Sequence, residues 1–143
     1  MNILVVEENK GELSALAETL LRSGHGVRIV HVSAVGGVVT AEKPDITVVA
    51  CTDPASSLAP IAEALRGFDD LAYRLLLAVV SSDTSEARSA AYDAGADDVA
   101  LSSASPREMA DHIRSAERIV RLERRLRERV VELESALRRL ALA

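Results

Sequence analysis

The sequence predicts an α/β fold in which helices cover both faces of a doubly wound, five-stranded parallel sheet. Five short apolar runs alternate with helix-like stretches along the chain. The first four runs are rich in Val, Ile and Leu, which is typical of parallel strands buried on both faces. Alternation of this kind favours right-handed crossovers within one sheet. The predicted strands are residues 2–6, 27–32, 45–50, 75–80 and 98–101.

The segments between these strands differ in how strongly they favour a helix. Three of them combine good helix formers with apolar residues at helical spacing, and they are residues 12–22, 59–66 and 85–94. Gly24 follows the first of these segments and Gly95 follows the last, each as a stop signal. Residues 33–41 contain the pair Gly36-Gly37 and a Val-Val-Thr run, so we expect this crossover to be short or mobile.

Length and composition indicate one globular domain with a short additional segment. The 143 residues include 48% hydrophobic residues but only three aromatic ones, so the core should consist of Val, Leu, Ile and Ala. Cys51 is the single cysteine, which excludes an internal disulfide and suits a small buried residue in a reducing compartment. No apolar run reaches the roughly 18 to 20 residues of a membrane span. The N-terminus shows no signal-peptide layout, and we expect a cytoplasmic protein without membrane contact.

Several short motifs occur in an order that points to a known family. Residues 3–9 (ILVVEEN) end a strand in an acidic pair, residues 94–98 (AGADD) precede the fifth strand, and residues 105–108 (SPRE) open the final helix. These motifs resemble those of response-regulator receiver domains, the CheY-like family, and the resemblance covers residues 1 to about 120. It implies a flavodoxin-like sheet of order 2-1-3-4-5 with a ligand edge at the carboxyl ends of the strands.

Residue 50 is the position where this resemblance implies the phosphorylated aspartate. In the family that residue lies six positions after one proline and four before the next, and Pro44 and Pro54 both lead to Ala50. A methyl group neither attacks a phosphoryl donor nor binds a metal ion. The chain is therefore predicted to be a degenerate pseudo-receiver without enzymatic activity.

Other positions of the phosphorylation site also depart from the family. The resemblance places the family's lysine at Ser102 and its switch aromatic residue at Val99. The hydroxyl residue of the fourth strand falls on Val80 without gaps, or on Ser81 with one deletion, and the sequence does not decide between them. Loss of the aspartate, the lysine and the aromatic residue together argues against a working phospho-switch.

Glu7 and Glu8 are the part of the family's magnesium site that remains. Two glutamates without a third carboxylate make a poor octahedral site, so we expect no metal and no cofactor. The favoured interpretation is two partly solvated acids at a strand end, and a weak cation site is the alternative. Asp53, considered as a substitute acceptor, is better explained as a turn residue before Pro54. The three histidines, which lack metal-ligand spacing, are His25, His31 and His112.

The C-terminal segment predicts one long helix with a coiled-coil seam. From Pro106 onward there is no glycine and no further proline, and the helix would be about 55 Å long at 1.5 Å per residue. Its large apolar residues recur in steps of three and four with one stutter, which predicts a homodimer through a parallel coiled coil, with antiparallel pairing as the runner-up. These seam residues are Ile119, Leu122, Leu126, Val130, Leu133, Leu137 and Leu140. The chain thus divides into a receiver-like domain, 1–118, and a coiled-coil extension, 119–143.

Charge is distributed unevenly between these two parts. Residues 1–106 carry a net charge of −8 and residues 107–143 carry +3, which together give the −5 of the chain. The ten arginines of the second part are interleaved with seven acids, without lysine or aromatic residues. That pattern favours a coiled-coil surface over a phosphate-binding stripe, so nucleic acid is not an expected partner.

Two functions remain open on the sequence alone. The preferred one is a phosphorylation-independent signalling module that dimerises and acts on a protein partner or a fused output domain. Its C-terminal helix is similar to the linkers that join receivers to diguanylate cyclases and other outputs. The alternative is a domain that senses a small molecule in the vacated pocket among Glu7, Ala50, Ser81 and Ser102.

Overall fold

The computed structural model describes residues 1–70 and 72–142 and confirms the predicted fold class. Five strands form one sheet in the order β2-β1-β3-β4-β5, and each of the four pairings is parallel. The strands are β1 Asn2–Glu7, β2 Gly26–His31, β3 Ile46–Cys51, β4 Leu75–Val80 and β5 Asp98–Leu101. The helices are α1 Ser14–Arg22, α2 Val35–Glu42, α3 Pro54–Ser57, α4 Ala59–Arg66, α5 Ser85–Asp93 and α6 Pro106–Leu142.

Two hydrophobic clusters lie on opposite faces of the sheet, because successive side chains of a strand point to opposite sides. Val5, Val48 and Leu77 belong to the cluster covered by α1 and α6. Their apolar neighbours in sequence belong to the other cluster, which α2, α4 and α5 cover. The central strands β3 and β4 are buried along their whole length, which explains their continuous apolar runs.

The crossover between β2 and β3 is more regular than its sequence predicts. A 3₁₀ turn, Val32–Ala34, leads directly into α2. Val35 and Val39 lie one turn apart on α2 and are only 8% and 1% exposed, because they pack against the sheet. This burial offsets a helix-propensity cost of about 1 kcal/mol for each of the two glycines.

The first part of α6 packs on the sheet through an apolar stripe. Met109, Ile113, Ala116 and Val120 are buried and contribute to the cluster that α6 shares with α1. Their spacing of four, three and four residues is that of one helical face. Near the end of this docked part, His25 Nε2 lies 2.7 Å from Glu117 Oε1.

Polar contacts hold α6 against the sheet beyond the apolar stripe. Arg124 donates hydrogen bonds to Asp45 Oδ1 at 2.7 Å and to the Tyr73 carbonyl at 3.1 Å. One turn later, the guanidinium of Arg127 lies 5.2 Å from the centre of the Tyr73 ring. The division proposed between residues 118 and 119 therefore marks where the exposed seam begins, not where contact with the sheet ends. Ala143, the last residue of the proposed extension, lies outside the described residues.

None of the helices in the described parts of the chain has both the length and the apolar character needed to cross a membrane.

Candidate functional site

The predicted site residues converge on the carboxyl edge of the sheet, where β1 and β3 are neighbours. Val6 pairs with Val49, so Glu7 and Ala50 are the next residues in the same parallel register. These two residues therefore lie at the same edge of the sheet. In open α/β sheets this edge, at the change in strand order, is where ligands bind.

Ala50 lies inside the core at this edge. It is 7% exposed and belongs to the same apolar cluster as Leu13, Val79 and Met109. Val79 is its register partner on β4, and Leu13 and Met109 come from the turn before α1 and from α6. The position holds no nucleophile and no metal ligand.

The Glu7 carboxylate is buried and bound to the backbone of the following loop. It is 6% exposed, and it accepts hydrogen bonds from Leu13 N at 2.8 Å and from Gly11 N at 3.3 Å. Gly11 has a φ of +85°, which turns the loop back over the strand end. The interpretation of Glu7 as a partly solvated acid is therefore wrong, because the loop supplies donors that compensate its burial.

The Glu8 carboxylate joins β1 to the segment after β3. Its Oε1 accepts hydrogen bonds from Thr52 N at 3.0 Å and from Ser57 Oγ at 3.1 Å. Its Oε2 accepts a hydrogen bond from Thr52 Oγ1 at 2.7 Å. Burial raises the pKa of Glu8, but these hydrogen bonds and the nearby His31 outweigh burial and hold the pKa below 4.5. We refer to Glu8, Thr52 and Ser57 as the Glu8 clasp.

The magnesium ion implied by the family resemblance does not fit these residues. Both carboxylates already accept hydrogen bonds from the protein, and Ala50 contributes no oxygen ligand. Within residues 1–70 and 72–142, no group of three or more His, Cys, Asp or Glu side chains is placed to hold a metal ion. Hard divalent cations need more oxygen ligands than this edge offers.

The remaining predicted residues do not complete a pocket with Glu7 and Ala50. Ser102 donates its backbone N–H to the Val80 carbonyl at 2.8 Å and lines a cleft of about 70 Å³. A cleft of that size holds about two water molecules and is well below the roughly 300 Å³ of a small-molecule site. Ser81 is exposed just beyond β4. Val99 is partly buried against the other face of the sheet.

The two other reactive side chains near this edge are those of Cys51 and Asp53. Cys51 is buried, as predicted, and burial raises its pKa to about 11, with the charges of Glu8 and Asp53 acting in the same direction. Its thiol therefore stays protonated at neutral pH and is a poor nucleophile. Asp53 is exposed and precedes α3; its backbone carbonyl accepts a hydrogen bond from Ser57 N at 3.0 Å, whereas its side chain makes no capping hydrogen bond to this helix.

Replacing Glu8 with alanine should destabilise the protein. The variant loses three hydrogen bonds to a charged acceptor, and we expect the free energy of unfolding to fall by about 1.5 to 3 kcal/mol. Urea denaturation measures this change. Glu18→Ala on the exposed side of α1 is the matched control and should change the free energy by less than about 0.5 kcal/mol. Equal effects of the two substitutions would show that the clasp contributes nothing.

The stabilisation by the Glu8 clasp should depend on pH. Folding lowers the pKa of Glu8 from 4.5, so its contribution is fully present above pH 4.5 and is lost as pH falls through the lower folded-state value. The difference in unfolding free energy between the parent and Glu8→Ala should stay constant from about pH 6 to 8 and shrink below about pH 4.5. A difference that is the same at every pH would assign the effect to another property of the side chain.

A second candidate surface lies along α6, on a different side from the face that packs on the sheet. The seam residues are exposed, from 42% at Ile119 to 73% at Leu140, although all of them are large and apolar. At about 100° per residue, the centre of the seam lies roughly 120° around the helix from the buried Val120. A contiguous apolar stripe of this kind marks an interaction surface.

No protein-family model matches this sequence, and no curated protein matches it either.

Solved structures, in contrast, share its fold. The BeF3-activated receiver domain of Klebsiella pneumoniae RstA is 17% identical, with a TM-score of 0.67 over 81% of this chain and 97% of that chain. An atypical orphan response regulator, described as having a phosphorylation-independent regulatory mechanism, is 19% identical, with a TM-score of 0.68 over 82% of this chain and 96% of that chain.

A third similar structure also includes the long C-terminal helix. It is a fusion of the trimeric coiled coil of yeast Spc42 to another solved structure, and it is 17% identical, with a TM-score of 0.74. The match covers 99% of this chain and 95% of that chain. This chain therefore has the flavodoxin-like fold of response-regulator receiver domains, continued by one long helix.

Proposed function

We propose that this chain is a phosphorylation-independent pseudo-receiver in a two-component-type pathway. It dimerises through the exposed part of α6 and transmits to a protein partner or an output domain. The observation that carries this proposal is the closed carboxyl edge of the sheet. Ala50 is packed in the core there, and Glu7 and Glu8 are bound by the protein's own donors.

The closed edge supports a module that keeps one conformation without a phosphoryl group. The Glu8 clasp already connects the end of β1 with the segment after β3. Its hydrogen bonds form within the chain itself, so no added anion is needed to hold these segments together. The similar orphan response regulator with its phosphorylation-independent mechanism is a precedent for such a module.

The exposed seam supports self-association as the way in which the module acts. Burial of a large aliphatic side chain contributes about 1.5 to 3 kcal/mol, and the seam offers seven of them on each chain. All seven side chains are at least 42% exposed in one chain, so a second helix is the natural cover for the seam. The trimeric coiled coil in the similar fusion structure supports self-association through a helix at this position.

The small-molecule alternative has weaker support. The cleft beside Ser102 is too small for a metabolite, and its lining residues include neither Glu7 nor Ala50. Larger clefts of about 350 and 470 Å³ involve Gly26 and His25, next to the opposite, amino edge of the sheet. Ala50 itself belongs to the apolar core and is 7% exposed, which leaves little surface for a ligand.

Incubation with acetyl phosphate and magnesium tests the proposal. We expect the intact mass to stay unchanged and the melting temperature to shift by less than about 1 °C, because the edge has neither an acceptor aspartate nor a metal site. A receiver domain that retains its aspartate serves as the positive control. Formation of an acyl phosphate, mapped to Asp53, Glu7 or Glu8 by mass spectrometry, would contradict the proposal.

A further inference from the structure

We propose that α6 pairs with a second copy of this chain as a parallel, in-register, two-stranded coiled coil, and that four charged residues select this arrangement. These residues are Arg118, Glu123, Arg129 and Glu134. The inference rests on the proposed dimerisation through α6 and adds the register of the two helices and the residues that select the parallel orientation.

The apolar layers favour two strands. Ile119, Val130 and Leu137 each begin a three-residue step of the seam, which makes them a positions in heptad notation. Each is followed by a leucine at d, and these leucines are Leu122, Leu133 and Leu140. β-Branched residues at a, here at two of three layers, combined with leucine at d, favour a parallel dimer over a trimer or tetramer. Leu126 forms the additional layer at the stutter.

The packing of α6 on its own domain leaves room for the second helix. The face that carries Ile113 and Val120 is buried on the sheet, and Arg124 is bound to Asp45 on the same side. The seam lies roughly 120° away around the helix at about 100° per residue. A second α6 therefore reaches the seam without displacing the sheet of either chain.

Charged residues flank the apolar layers in a repeated order. Arg118 and Arg129 each precede a residue at heptad position a. Glu123 and Glu134 each follow a residue at heptad position d. In a parallel, in-register pair, the residue that precedes heptad position a faces the residue five positions later in the second copy. Arg118 then meets Glu123 of the second copy, and Arg129 meets Glu134. Symmetry doubles these contacts to four attractive pairs.

The other arrangements lose these pairs. An antiparallel pair with full overlap of the seam is centred near residue 130, so it moves Arg118 away from Glu123 of the second copy. It also brings Arg129 close to Arg129 of the second copy, which is repulsive. A parallel pair shifted by one heptad loses the match between arginine and glutamate and leaves an apolar layer uncovered at each end.

The four charged side chains are available for a second copy. Arg118 and Arg129 are exposed, as is Glu134, while Glu123 is partly exposed. In the described parts of the chain, the closest ion pair of Arg129 is with Glu132 at 3.8 Å, and the other three form no ion pair within 4.0 Å. Exposed pairs contribute little affinity, so the apolar layers hold the chains together and the charges select the arrangement.

Disulfide trapping tests orientation and register. In a Cys51→Ala background, Leu140→Cys places one thiol at a d layer, where a parallel pair brings the two Cα atoms to roughly 4.4 to 6.8 Å. We expect rapid, nearly complete cross-linking of Leu140→Cys. Ser135→Cys, on another side of α6, is the matched control and should not cross-link faster than the denatured protein. Cross-linking only between Leu140→Cys and Ile119→Cys chains would show an antiparallel pair and overturn the inference.

Reversing the charges of the four flanking residues tests whether they select the parallel, in-register arrangement. Arg118→Glu with Arg129→Glu should weaken the dimer by at least about tenfold, because four attractive pairs become repulsive. Adding Glu123→Arg and Glu134→Arg should restore the affinity. The control pair, Arg138→Glu with Arg139→Glu, changes the same charge away from the seam and should have a smaller effect.

The outcomes distinguish this inference from the proposed function. A monomeric parent protein in sedimentation equilibrium would contradict both. A dimer that ignores the charge exchange, or a trimer, would overturn the parallel two-stranded arrangement and leave self-association through α6 intact.

Discussion

Replacing Leu126 and Leu133 with aspartate should convert the protein into folded monomers with less helix. These two side chains are 59% and 65% exposed in one chain, so the substitutions leave its core intact. A dimer would lose four buried leucines, at about 1.5 to 3 kcal/mol each, and would gain four buried charges. The dissociation constant should therefore rise by more than about a thousandfold. The part of α6 beyond Arg127 should also lose helicity, because isolated helices of this length are marginally stable.

Light scattering and circular dichroism together measure this effect. Val131→Asp provides the control, because Val131 lies on the same exposed part of α6 but outside the seam and is 36% exposed. The control should remain a dimer with unchanged helicity. If the Leu126→Asp, Leu133→Asp variant keeps the parent's mass, the seam is not the interface.

Replacing Ala50 with aspartate should destabilise the fold and should not create a phosphorylation switch. The new carboxylate would lie in the core beside the buried Glu7, without a cationic partner. An uncompensated buried charge costs about 3 to 5 kcal/mol, and the cost should fall on acidification because the aspartate is then neutral. Ser102 offers no positive charge to a phosphoryl group, and Val99 lies on the other face of the sheet.

Urea denaturation and intact-mass analysis with acetyl phosphate test this second prediction. Ala55→Asp, on the exposed side of α3, is the control and should be nearly neutral. Adding Ser102→Lys to Ala50→Asp should recover part of the stability, because it supplies the missing charge. An Ala50→Asp variant that is as stable as the parent and accepts phosphate would show that the site is dormant rather than lost.

Much of the fold could be predicted because the strands are recognisable as short apolar runs in the sequence. The continuous apolar runs of β3 and β4 place them in the middle of a sheet, and the predicted bounds of β4 and β5 agree with the structure. The helix α2 was predicted poorly, because its stability comes from burying Val35 and Val39 rather than from the propensity of its residues. The sequence does not predict the short helix α3, because four residues carry too little periodic signal.

The candidate site was only partly predictable. Counting from the prolines placed Ala50 at the correct edge of the sheet, and parallel register then determined its neighbour Glu7. The roles of Glu7 and Glu8 could not be read from the sequence, because their partners are backbone N–H groups and hydroxyls of irregular segments. Thr52 and Ser57 are therefore not identified as partners of Glu8 by the sequence. The spacing of hydroxyl residues after β3 is the only signal that could have indicated them.

The mass of the unmodified protein in solution tests the central claim most directly. Multi-angle light scattering at tens of micromolar, without any phosphoryl donor, divalent cation or ligand, should give the mass of a dimer. Acetyl phosphate and magnesium should leave that mass unchanged. A monomer under these conditions, or a dimer that forms only after the phosphoryl donor is added, would contradict a phosphorylation-independent module that acts through α6.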